Sequence, residues 1–169
     1  KKGWLQELKT DAAYDVDDLL PAVRNGLSID GKLFAAPFYG ESSMLMYRKD
    51  LADKAGVQVP ERPTWPQIKD LAAKMHDPKN GVYGICLRGK PGWGDNMAFL
   101  STLANSFGAQ WFDMSWKPQL QSKPWKDAVT FYVDLLTKYG PPGSSANSFN
   151  EILALTNSGK CGMWIDATI

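Results

Sequence analysis

Two short apolar runs, Leu33 to Phe38 and Met44 to Tyr47, flank the polar stretch Tyr39-Gly40-Glu41-Ser42-Ser43. Such runs are too short for helices and too continuous for half-wetted strands, so the pattern predicts two strands buried on both faces. A glycine beside a carboxylate and hydroxyls, held between them, describes either a hinge that doubles as a ligand wall or an ordinary loop with a solvated Glu41. Upstream, Val16, Leu19, Leu20 and Val23 recur at helical spacing between Asp15 and Asn25, Gly26 stops the run, and Asp30-Gly31 signals a turn. Downstream, a helix is expected over 49–55, closed by Gly56, then a rigid loop over 60–63. Thr64 and Gln67 spell a capping box with Pro66 in the first turn, and Trp65, Ile68, Leu71, Ala72 and Met75 line one face of the helix that His76 ends.

Beyond the turn at 77–81, Val82 to Leu87 reads as a buried strand. Arg88-Gly-Lys-Pro-Gly-Trp-Gly-Asp95-Asn96 follows it and opens a helix with Met97, Leu100, Ala104 and Phe107 on one side. A glycine-rich loop leaving the carboxyl end of a strand is where open α/β sheets place ligands. Neither phosphate-loop spacing is matched, which argues against a nucleotide. The loop offers a fork of donors in Arg88, a flat ring in Trp93, and Asp95 with Asn96 at a helix start, where Asp95 is either the N-cap or a ligand contact. Residues 108–118 read as a strand or turn decoration. The clearest helix runs from Ser122 to Lys138, with Trp125, Ala128, Val129, Tyr132, Leu135 and Leu136 facing a core. Ser148 and Glu151 form a second capping box, for a helix through Leu155. A strand from Cys161 to Ile165 follows, with Asp166 just past its end.

Strands alternating with helices make this an α/β fold, with polar groups at 39–42, 88–96 and 166 expected beyond strand ends and so able to share one cleft. Nineteen basic against eighteen acidic residues leave no electrostatic footprint for nucleic acid, and no cationic amphipathic run points to a membrane surface. No apolar stretch approaches the roughly 20 residues that span a bilayer, which predicts a soluble chain, and its start lacks the pattern of a signal peptide. Seven Trp and six Tyr suit a polyhydroxylated ligand, whose C–H faces pack on rings. His76, the one histidine, has no partner at metal or nucleophile spacing and reads as a helix-end residue. Cys86 and Cys161 are either two buried thiols or one disulfide between strands; the residues alone lean to free thiols.

GKLFAAPFYGESSMLMYRKDL, the Thr-Trp helix ending in LAAKMHDP, GVYGICLRGKPGWGDNMA and the closing GKCGMWIDAT together resemble the extracellular solute-binding proteins of ABC sugar importers, most closely the branch that binds polyols such as sorbitol and mannitol. The resemblance implies a type II periplasmic-binding-protein-like fold of two α/β lobes closing like a clam. Residues 1–40 would be a remnant of the first lobe and 41–169 most of the second. It implies a polyol or sugar ligand contacted by Tyr39, Glu41, Ser42, Arg88, Trp93, Asp95, Asn96 and Asp166, with no metal or other cofactor. It further implies delivery to membrane permease subunits, a monomer when complete, and a periplasmic or lipid-tethered extracellular location. That oxidising setting favours a Cys86–Cys161 bridge. The alternative is a glycosidase using Glu41 with Asp95 or Asp166, which needs carboxylates ~5 or ~6.5 to 9.5 Å apart and one of them kept protonated by its surroundings.

Overall fold

The computed structural model describes residues 3–38, 40–92 and 94–167. The chain divides into two compact units, Lys1–Ser42 and Ser43–Ile169.

In the first unit, two single 3₁₀ turns, Ala12–Tyr14 and Val16–Asp18, precede α1 (Pro21–Gly26) and a hairpin of β1 (Ser28–Ile29) and β2 (Lys32–Leu33). Asp30 (φ 51°) and Gly31 (φ 74°) both take the left-handed conformation that a two-residue hairpin turn requires, as the Asp-Gly signal predicts. Two expectations fail in this unit. The helix over 15–25 is broken, because Pro21 has no N–H to give and clashes with the preceding turn, so it begins α1 instead of continuing it. The strand over 33–38 stops at Leu33. Its neighbour β1 is two residues long, Pro37 cannot donate to a ladder, and Phe38 is 93% exposed.

The second unit is built on a three-stranded sheet of order β3-β5-β4, with β3 (Ser43–Tyr47) antiparallel and β4 (Tyr83–Cys86) parallel to the central β5 (Cys161–Ala167). The 44–47 run is a strand, as expected, but an edge strand, and Met44 and Tyr47 stay exposed rather than buried on both faces. Between the strands come α2 (Lys49–Lys54), α3 (Trp65–Met75), α4 (Asp95–Ser106), α5 (Lys123–Lys138) and α6 (Phe149–Asn157). Both predicted capping boxes form, with the Thr64 N–H donating to Gln67 Oε1 and the Ser148 N–H to Glu151 Oε2, each at 2.8 Å. On α5, Val129 turns outward, while Trp125, Ala128, Tyr132 and Leu135 are buried.

The sheet has two unequal cores. Ile85, Met163 and Ile165 pack with the buried faces of α3, α4 and α5, whereas Cys86, Cys161 and Trp164 pack with Ile152 of α6. Gly84 lets α3 lie directly on β4, since any Cβ there would overlap the Ala72 carbonyl. The lean toward free thiols is overturned: Cys86 and Cys161 form a disulfide inside the smaller core. Seventy-five residues separate them in sequence, and the pairing of β4 with β5 brings them together. Among the described residues, no helix is long and apolar enough to cross a membrane.

Candidate functional site

The end of β4 delivers a charged side chain to the end of β5. After Cys86 and the buried Leu87, Arg88 turns its guanidinium onto Asp166, with Nε donating to Oδ2 at 2.8 Å and Nη2 donating to Oδ1. This is a two-pronged fork, the arrangement that matches a planar guanidinium to a carboxylate. Asp166 lies inside β5 rather than beyond it, opposite Met44 of β3. The same carboxylate accepts the Trp164 indole N–H at 2.9 Å and the Ala167 N–H at 2.7 Å, so its lone pairs are taken up within the protein.

Arg88 is fixed at both ends. The Tyr132 hydroxyl on α5 donates to its carbonyl oxygen at 2.5 Å, and the Phe149 ring lies 5.2 Å from the guanidinium carbon. Cation–π contact of this kind lowers the cost of holding a charge away from water. Burial pushes the Tyr132 hydroxyl up to about 12, keeping it a neutral donor.

Asp95 completes the cluster. It was expected to be an N-cap or a ligand contact; the N-cap is Gly94, at φ 134°, and Asp95 is the first residue of α4. A carboxylate there gains from the helix dipole. Its Oδ1 stands 3.8 Å from Arg88 Nη1, an ion pair too long for a hydrogen bond. Among the described residues, the Asp95 carboxylate accepts no hydrogen bond, although its side chain is only 8% exposed. Exposure rises outward through the cluster, from Asp166 at 3% to Asp95 at 8% and Arg88 at 13%.

The loop carrying these groups is anchored from below. The Gly89 and Lys90 N–H groups both donate to the Asn147 carbonyl at 3.0 Å, and a Cβ at Gly89 would collide with the Ser144 backbone. Asn96 is half-buried on the first turn of α4, its N–H donating to the Lys90 carbonyl. Glu41 and Ser42 are exposed at the end of the first unit. Tyr39 and Trp93 lie outside the described residues.

His76 takes no part in the cluster: its Nδ1 accepts the Gly84 N–H at 3.3 Å and its ring sits between those of Tyr83 and Tyr139. Two surface hollows, of about 480 Å³ beside Trp111 and Trp116 and about 570 Å³ beside Tyr83 and Pro141, include neither Arg88 nor Asp166 in their walls. The described residues contain no group of three or more His, Cys, Asp or Glu side chains arranged to hold a metal ion. Sequence reasoning missed Trp164, Tyr132 and Phe149 as supports of the cluster. For Trp164 a signal existed, because residues two apart on a strand share a face, which sets the indole beside Asp166.

The family model for bacterial extracellular solute-binding proteins matches residues 1–168. A mannitol-binding protein of Pseudomonas aeruginosa is 56% identical over 99% of this chain and 39% of its own length. Among solved structures, a solute-binding protein of Agrobacterium vitis with bound D-mannitol superposes with a TM-score of 0.85 at 63% identity, over 98% of this chain and 40% of that one. A ribitol complex from Agrobacterium radiobacter gives a TM-score of 0.79 at 28% identity, over 92% of this chain and 39% of that one. The chain thus spans about two fifths of the length of these relatives. With the strands, the glycine-rich loop and the ion cluster of one α/β unit all falling within the matched residues, this chain belongs to the bacterial extracellular solute-binding protein family.

Proposed function

We propose that this chain is part of a solute-binding protein that holds a linear polyol, mannitol or a close relative, and passes it unchanged to the membrane subunits of an ABC importer. The observation that carries this reading is the buried Arg88–Asp95–Asp166 cluster, in which Asp95 is nine-tenths buried yet has acceptor capacity unused. A buried carboxylate in that condition is stabilised by an O–H donor, and a polyol supplies hydroxyls and little else. The likeness to proteins named for mannitol, or solved with it, supports the same ligand class.

In this reading Arg88, Asp95 and Asn96 touch the ligand directly, and Asp166 acts by aiming Arg88. Glu41, Ser42, Tyr39 and Trp93 are proposed as further contacts. As the resemblance implies, residues 1–40 belong to the first lobe and 41–169 to the second, and the protein works outside the cytoplasmic membrane as a monomer. The glycosidase alternative loses support because the relatives this chain matches are named as binding proteins. Thermal unfolding of the intact protein against a panel of polyols and sugars tests the reading. Mannitol at 100 times its Kd should add roughly 2.7 kcal/mol, and a panel without any stabilising member would overturn it.

A further inference from the structure

We propose that the cluster is also a charge filter, admitting neutral or cationic polyhydroxylated ligands and rejecting anionic ones such as sugar acids and polyol phosphates. This deepens the polyol reading and rests on it. One guanidinium faces two carboxylates, so the buried groups carry an excess of one negative charge. The fork from Arg88 is spent on Asp166, whose remaining lone pairs go to Trp164 and Ala167. An anionic ligand would therefore find no uncompensated cation here, and would sit beside Asp95, whose charge is offset only in part by the 3.8 Å contact and the start of α4.

The other cation on the loop does not change this balance. Lys90 is exposed, and its field falls on Glu151, helping to hold that carboxyl below the usual carboxylate range, after the larger effect of the Ser148 N–H. A hydroxyl donating to Asp95 meets the need without adding charge. A protonated amine meets it and neutralises the excess as well. Like charges placed together where water is largely excluded repel strongly, which turns a modest imbalance into discrimination.

Calorimetry on the intact protein with three ligands of one carbon skeleton tests this. The ligands are D-mannitol, the dicarboxylate mannarate, and 1-amino-1-deoxymannitol. Mannarate is chosen over the monoacid because it has no uncharged end to turn toward Asp95. Mannarate is expected to bind on the order of 100-fold more weakly than mannitol, and the amine at least as tightly. Asp95→Asn should narrow the mannitol-to-mannarate ratio by tenfold or more, while Asp95→Glu, which keeps the charge, should leave mannarate rejected. Mannarate within tenfold of mannitol overturns the filter and leaves the polyol reading standing, as does a folded Asp95→Asn protein with an unchanged ratio. If Asp95→Asn does not fold, the wild-type ratios decide. Binding by none of the three overturns the polyol reading and the filter together.

Discussion

The two faces of the sheet solve the same packing problem with different means. One face is covered by three helices, and Leu103, Leu135 and Ile85 are fully enclosed there. The other carries α6 and a small apolar group of Ile152, Trp164 and the two cysteines, closed by a disulfide. Apolar burial stabilises in proportion to area, so a face with little of it gains most from a covalent link that restricts the unfolded chain. The ion cluster grows from the weaker face, with Trp164 donating to Asp166 and Phe149 lying under Arg88. The larger core fills one side of the sheet and the supports of Asp166 lie on the other, while Asp95 and Asn96 reach the cluster from the start of α4.

The sharpest way to break this contrast is to open the bridge. Replacing both cysteines by serine should cost about 4 kcal/mol on the chain-entropy model for a 75-residue separation, read by urea unfolding of the intact protein. No measurable loss would mean that the smaller core holds itself. On the opposite face, Leu135→Ala should cost roughly 3 kcal/mol through transfer and cavity terms, yet leave the affinity for mannitol unchanged. A change in affinity from that substitution would dissolve the separation between the faces.

Tyr132 joins the two, since it sits in the larger core and donates to the Arg88 carbonyl. Tyr132→Phe should cost about 1 kcal/mol for the lost hydrogen bond. It also predicts a pH effect. The hydroxyl titrates near 10 when unfolded and at about 12 when folded, so the neutral form is favoured by folding. Its contribution is present below pH 10 and is lost as pH rises toward 12. The Phe variant should lack that alkaline limb, which stability measurements across the range would detect.

Much of this layout is legible along the chain, wherever the signal is local. The capping boxes at Thr64 and Ser148, the Asp30-Gly31 turn and the 3.6-residue spacing of α3 and α5 each lie within one element and survive folding intact. What the chain hides is whatever a distant segment decides. Leu33 to Phe38 is apolar enough for a buried strand, but burial needs neighbours, and among the described residues the strand pairing ends at Leu33. Pro21 is visible in the sequence and outweighs the periodicity around it. The bridge depends on β4 meeting β5 across 75 residues. For the candidate site, the residue types at 88, 95 and 166 are readable as ligand chemistry. That Asp166 lies within a strand is not, because an aspartate is a poor strand former until Arg88, Trp164 and the Ala167 N–H satisfy it.

The central claim is that the largely buried Asp95 keeps an acceptor open for a ligand hydroxyl, and the most direct test is mannitol calorimetry on the intact wild-type and Asp95→Asn proteins, with thermal unfolding measured alongside. The account predicts affinity reduced by roughly 10- to 100-fold, equivalent to about 1 to 3 kcal/mol, with a melting temperature close to wild type in the absence of ligand. Equal affinity in the two proteins would contradict it.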